Sequence, residues 1–394
     1  MSLYDFESII ERKGSDSIKW DYLEDHFGTD DALPMWVADM DFSAPPEVVE
    51  ALVQRARHGV FGYTGQSAAF YASIVKWLEK RHGWTTSPEW MQGVPGVVPA
   101  VCLSVLAFTQ PGDRVVIQTP VYYPFFSAVE ENGRKLIQNP LQIVNGRYRM
   151  DLGNLEKQLD ERTRMLVLCS PHNPVGRVWE RQELEELGEF CVEHDLLVVS
   201  DEIHSDLVFQ PHRHVPYASI KSAFAQNSLT CIAPSKTFNL AGLSASAVII
   251  PNPALRSTFF HTARRMGFFG LNTFGTVGLQ AAYEKGGPWL EELLVYLEDN
   301  FRFLEESLAP YSEKVSVFPL EGTYLAWLDF RGMGLPSEEV DRWMVEQVKV
   351  APDHGTWFGE PGKGFQRLNI ACPRAMLEQV VGRLTKELDK LDNI

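Results

Sequence analysis

Between about residues 95 and 250, short apolar runs alternate with stretches of helical periodicity. Arg114–Thr119, Met165–Cys169, Leu196–Ser200, Leu229–Ala233 and Ala245–Ile250 are too short for helices, and their apolar character predicts buried strands. Between the second and third of these, Leu184, Leu187, Phe190 and Cys191 recur at helical spacing, with Glu and Arg filling the other face. Apolar strands alternating with amphipathic helices predict an α/β fold with a mostly parallel sheet between helices. After about residue 285 the pattern changes. A helical stretch from Pro288 to about Leu308 precedes short alternating strands at Lys314–Phe318 and Thr323–Asp329 and two further helices, which reads as a smaller α+β domain. The first 45 residues lack strong periodicity and are expected to wrap onto the rest. The predicted division is a large domain over 46–285 and a small domain built from 1–45 and 286–394.

Composition narrows the partners. In 394 residues, 52 acidic side chains outnumber 36 basic ones, for a net charge of −16, which disfavours nucleic acid and anionic membranes as general partners. No apolar run approaches the roughly 18–20 residues that span a bilayer, and the opening MSLYDFESIIERKGSD lacks a basic-then-apolar leader pattern. The five cysteines are scattered and form no CxxC, so reduced thiols in a cytoplasmic protein are expected, and no metal site.

In an open parallel sheet, ligands bind beyond the carboxyl ends of the strands. Thr119-Pro120-Val121-Tyr122-Tyr123-Pro124 follows the first predicted strand and Ser170-Pro171-His172-Asn173-Pro174-Val175-Gly176 the second. Asp201-Glu202-Ile203-His204 follows the third and Ser235-Lys236-Thr237-Phe238-Asn239 the fourth. An aromatic, an amide, a carboxylate and an amine therefore share one rim. Gly96-Val97-Val98-Pro99 opens an apolar helix, with Pro99 expected at its first position, and free N–H groups there suit an anion. Taken singly, Lys236 reads as a solvated lysine, Asp201 as a cap, Asn173 as a turn residue and Tyr122 as core packing. His212 and His214, flanking Arg213, read as solvated loop residues.

The joint set fits pyridoxal 5'-phosphate chemistry. There a lysine made neutral by desolvation binds the cofactor aldehyde, and a carboxylate keeps the pyridine nitrogen protonated. An aromatic stacks on the ring, an amide bonds its 3-oxygen and a helix N-terminus holds the phosphate.

The ordered motifs PVYYP, SPHNPVG, SDEIH and SKTFNLAGL resemble those of the fold-type I, aspartate-aminotransferase-like enzymes. With Pro34-Met35-Trp36-Val37-Ala38-Asp39, Phe61-Gly62-Tyr63-Thr64 and Phe365-Gln366-Arg367-Leu368-Asn369, the chain is most similar to the MalY/PatB-type cystathionine beta-lyases, over nearly its whole length. The resemblance implies that Lys236 is the Schiff-base lysine and Asp201 the pyridine-nitrogen partner. It implies that Tyr122 stacks on the ring and that Asn173 and His204 reach its 3-oxygen. Gly96, Val97, Val98 and Ser235 would bind phosphate, as would Tyr63 from the neighbouring subunit of a homodimer with shared active sites. Arg367 would clamp the α-carboxylate of an amino acid substrate, with Asn173, Tyr63, Trp36, Ala38 and Tyr324 close to it. Ala233, Ser244 and His204 depart from the aminotransferase pattern of Ser, Arg and Tyr, and no second arginine for a side-chain carboxylate stands out. The implied reaction is β-elimination from an S-substituted cysteine, giving thiol, pyruvate and ammonia. The alternatives are amino-group transfer to a 2-oxo acid and a regulatory cofactor-binding protein.

Overall fold

A computed structural model describes residues 3–391. Seven strands form the large sheet: β1 (Met91–Val94), β2 (Arg114–Ile117), β3 (Lys135–Gln138), β4 (Thr163–Cys169), β5 (Leu197–Asp201), β6 (Ser228–Ile232) and β7 (Ser246–Ile249). Their spatial order is β1-β7-β6-β5-β4-β2-β3, and the ladders joining β6, β5, β4, β2 and β3 are all parallel. β7 runs antiparallel to both its neighbours, β1 and β6. The five strands expected from apolar runs are therefore present, and the sheet gains β1 and β3, whose polar positions hide them from an apolar-run reading.

The two-residue alternation of a strand places successive side chains in different cores. Val115, Ile117, Met165 and Val167 pack with the Val97–Phe108 helix, whereas Val116, Leu166 and Leu168 pack with Leu184, Leu187 and Cys191 of the Arg181–Glu193 helix. Both faces are thus covered, as uninterrupted apolar strands require.

Beyond the 22-residue Gly287–Leu308 helix, a smaller antiparallel sheet contains Ser316–Val317, Leu325–Asp329, Phe365–Asn369 and Asp353–His354, neighbours in that order. The N-terminal segment bridges these parts. Phe6 packs on Trp289 and Tyr296 of the long helix, and Leu33–Pro34 pairs in parallel with Val350–Ala351. Asn239, just past β6, donates to the carbonyls of Met40 and Phe42 and accepts from the Met40 N–H. Among the described residues, no helix is long and apolar enough to cross a membrane.

Candidate active site

A cavity of about 200 Å³ lies beyond the carboxyl ends of the strands, lined by Gly96, Tyr122, Asn173, Asp201, His204 and Lys236 together with Ala38, Val97, Val98 and Ser235. Asp201 is the last residue of β5, and Lys236 sits in a single helical turn, Pro234–Thr237, that follows β6. Gly96 precedes the Val97–Phe108 helix at φ 150° and ψ 163°, a conformation essentially reserved for glycine. A Cβ there would also stand 3.3 Å from Pro99. The helix starts at Val97, so Pro99 is its third residue rather than its first; the N–H that proline lacks is still one with no intrahelical partner. The first residues of this helix, Val97 and Val98, line the cavity, bringing the positive end of the helix to it.

Burial and charge set the protonation states. Desolvation raises the Asp201 carboxyl to about 7, opposed by the Ile203 N–H (3.0 Å) and the neighbouring Lys236. Desolvation, reinforced by Arg367, lowers the Lys236 ammonium to about 8. Its Nζ donates to the carbonyl of Ala38 at 2.7 Å. Burial holds the His204 imidazole well below its ordinary value, so it is neutral, and its Nδ1 has no hydrogen-bond partner among the described residues. Burial likewise raises the Tyr122 phenol, which stays protonated.

Arg367, in the middle of the Phe365–Asn369 strand, is only 2% exposed. Its Nη1 donates to Asn173 Oδ1 at 3.0 Å and its Nη2 to the carbonyl of Trp36 at 2.7 Å, while Asp353 forms an ion pair with it. The guanidinium also lies over the Phe358 ring, 5.0 Å from its centroid. The segment 36–39 contributes backbone here. The Ala38 carbonyl accepts from both Lys236 and the Tyr324 hydroxyl (2.8 Å), and Asn369 binds the carbonyls of Val37 and Asp39. The Trp36 indole donates to the Lys19 carbonyl and packs on His26 and Phe27, so Trp36 presents its carbonyl, not its ring, to Arg367.

Buried and half-buried charged residues support this arrangement. Buried Lys19 pairs with Asp41 at 2.6 Å, and Arg12 spans Asp39 and Asp41. On the far side of the strand ends, Asp206 accepts from Thr237 (2.9 Å), Trp77 (3.1 Å) and His82 (3.0 Å). Burial pushes the Asp206 carboxyl up, but these partners and Arg81 outweigh it and hold the group below its ordinary range. Glu202 accepts from Ser200, from the Tyr217 N–H and from His214, which is therefore a buried partner of Glu202 rather than a solvated loop residue. Thus the residue after Asp201 and the residue after Lys236 are both anchored from behind. The clue in the sequence was the polar spacing Glu202–Asp206–His214 just past a buried strand.

Tyr63 lies outside this set. It is fully exposed and does not line the cavity formed by its own chain. All five cysteines are free thiols, and the described residues contain no cluster of three or more potential metal ligands.

The Aminotransferase class I and II family matches residues 31–384. The chain is 47% identical over 384 residues to cystathionine beta-lyase PatB of Bacillus subtilis, covering 97% of this chain and 99% of that one. It is 35% identical to protein MalY of Escherichia coli, covering 97% and 98% of the two chains. Cystalysin from Treponema denticola, whose crystal structure contains a pyridoxal 5'-phosphate cofactor, superposes with a TM-score of 0.94 at 37% identity, over 99% of this chain and all of that one. The strand-end constellation and this correspondence along the whole length lead to one conclusion: the chain belongs to the aminotransferase class I and II family.

Proposed function

We propose that this protein is a pyridoxal 5'-phosphate-dependent carbon–sulfur lyase that eliminates thiol from S-substituted cysteines of the cystathionine type. The observation that carries the reading is the meeting, in one cavity, of an amine whose ammonium form is destabilised and a buried carboxylate short of partners. The site fits the cofactor on its own chemistry. Asp201 needs a cation, which a protonated pyridine nitrogen supplies. His204 offers an unused ring nitrogen. The start of the Val97–Phe108 helix offers N–H groups to a phosphate. When bound, the cofactor acts as an electron sink for the pair released at the substrate Cα.

The chain's residues do the rest. Arg367, held by Asn173, binds the α-carboxylate and fixes which Cα bond faces Lys236. Lys236, neutral at little cost because its pKa is depressed, takes the Cα proton and can return a proton to the departing sulfur. The Cα–H and Cβ–S bonds break, and water completes the conversion to thiol, pyruvate and ammonia without change of overall redox level. Tyr122 supplies the aromatic face of the pocket and excludes water from it.

Residues 46–285 form the cofactor-binding unit in this reading, and 1–45 with 286–394 form the substrate-clamping unit. The exposed apolar group Val60, Phe61, Tyr63, Met266 and Phe269 fits the face of a homodimer in which Tyr63 reaches the partner's phosphate. Five free thiols fit the reducing cytoplasm.

The test is to incubate the purified holoenzyme with cystathionine and, separately, with an amino acid plus 2-oxoglutarate. Pyruvate and free thiol from the first, abolished by Lys236→Ala, are expected. Glutamate from the second without pyruvate from the first overturns the lyase in favour of an aminotransferase.

A further inference from the structure

Arg367 is already neutralised before any substrate arrives. Asp353 faces it as its register partner across the antiparallel ladder between Asp353–His354 and Phe365–Asn369, and the two side chains, 1% and 2% exposed, are in ion-pair contact. Asn173 Oδ1 and the Trp36 carbonyl take one N–H each of the two terminal nitrogens, while the Nε–H has no acceptor among the described residues. Oδ2 of Asp353 is the oxygen in contact with Nη2 of Arg367, and Oδ1 has no hydrogen-bond partner among the described residues. Asp353 is therefore held in place by Arg367 with one of its two oxygens still free to hydrogen-bond.

A substrate carboxylate brought to this guanidinium makes two anions on one cation in a water-poor pocket, an arrangement that disfavours ionisation of both. We propose that Asp353 is a positioning residue that presets Arg367 and then yields it to the α-carboxylate by taking up a proton. The inference rests on the reading that Arg367 is the carboxylate clamp.

The groups around Asp353 are consistent with that role. Arg367 and, farther off, Lys236 favour its charged form; the phenols of Tyr122 and Tyr123, on the loop after β2, are the other titratable neighbours that feel it. Burial outweighs the cations and raises the Asp353 carboxyl to about 6, within reach of protonation by a second negative charge. The neighbouring His354 faces Asp341 on the opposite side of its short strand and belongs to a separate pair. Protonated, Asp353 offers an O–H donor, so it can hydrogen-bond the carboxylate it makes room for.

The probe is 3-(methylthio)propanoate, which keeps a carboxylate and a thioether but has no amine to react. Its binding to the holoenzyme is followed by titration calorimetry from pH 5.5 to 8 in buffers of different ionisation enthalpy. Expected for the unmodified protein is uptake of close to one proton per probe bound near pH 7.5, and a dissociation constant that rises about twentyfold between pH 5.5 and 7.5. Asp353→Asn should abolish both, holding the affinity at its low-pH level throughout, and Asp353→Glu should restore the slope. An unchanged slope and proton uptake in Asp353→Asn overturn the inference, as does weaker binding at every pH with the slope intact, which is the signature of a purely structural contact. If Arg367→Lys leaves probe affinity unchanged, the carboxylate-clamp reading itself has failed and the inference falls with it; this arm does not depend on lyase turnover.

Discussion

Asp201 and Asp206 stand five positions apart at the same strand end, and each is 3% exposed, yet their carboxyl groups are shifted in opposite directions. Asp206 faces backward into Thr237, Trp77 and His82 and is held ionised. Asp201 faces forward into the cavity with one backbone N–H and a lysine, and desolvation prevails. Equal burial with unequal partner supply separates scaffold from site: the satisfied carboxylate holds the chain in place, and the unsatisfied one waits for a ligand.

The sharpest way to break this contrast is Asp201→Asn. If Asp201 faces the ring nitrogen as proposed, losing its charge should lower pyruvate formation from cystathionine about 10²–10³-fold. The same substitution should change the pH dependence of apoprotein stability. The folded carboxyl titrates at about 7, above the ordinary carboxylate value, so the folded state holds the extra proton between roughly pH 4 and 7 and its stability falls as pH rises through that window. Asp201→Asn should flatten that fall, as read from urea midpoints at pH 5 and pH 8.

The opposite signature belongs to Asp206→Ala. Removing an acceptor shared by three donors should cost about 2–3 kcal/mol in denaturant unfolding, while the folded fraction keeps most of its turnover. Asp206, held below the ordinary range, contributes stability that is present above pH ~4 and is lost as pH falls through its folded value. The variant should therefore lose the acid-side step that the unmodified protein shows. If Asp206→Ala instead abolishes turnover at full stability, the division between front and back fails.

The smallest expected effect is that of Tyr63→Phe. If Tyr63, exposed in one chain, bonds the partner's phosphate as proposed, removing its hydroxyl should weaken cofactor retention about tenfold without moving the unfolding midpoint of the apoprotein. Cofactor dissociation followed by absorbance, alongside light scattering for the oligomeric state, reads both.

Much of the front of the molecule was legible in the sequence, and for a physical reason. A parallel sheet places successive strand ends on one rim, so Tyr122, Asn173, Asp201 and Lys236, far apart in the chain, are brought together by topology alone. The back and the substrate edge were not. Asp353 becomes meaningful only through its ladder register with Arg367, and His214 reads as a loop residue until Glu202 is seen beneath it. The segment 36–39 acts mainly through carbonyl oxygens, which every residue possesses, so its sequence alone does not show how it contacts Arg367: Trp36 lends an oxygen while its indole is engaged elsewhere.

Such a segment is constrained in path more than in spelling. Because the Ala38 oxygen meets both Lys236 and Tyr324, and the oxygens on either side of it engage Asn369, a one-residue insertion there shifts every acceptor out of reach, whereas many exchanges of side chain leave them where they are. In a library built on this protein, length at that stretch is the quantity to keep fixed, and sequence identity the one that can be varied.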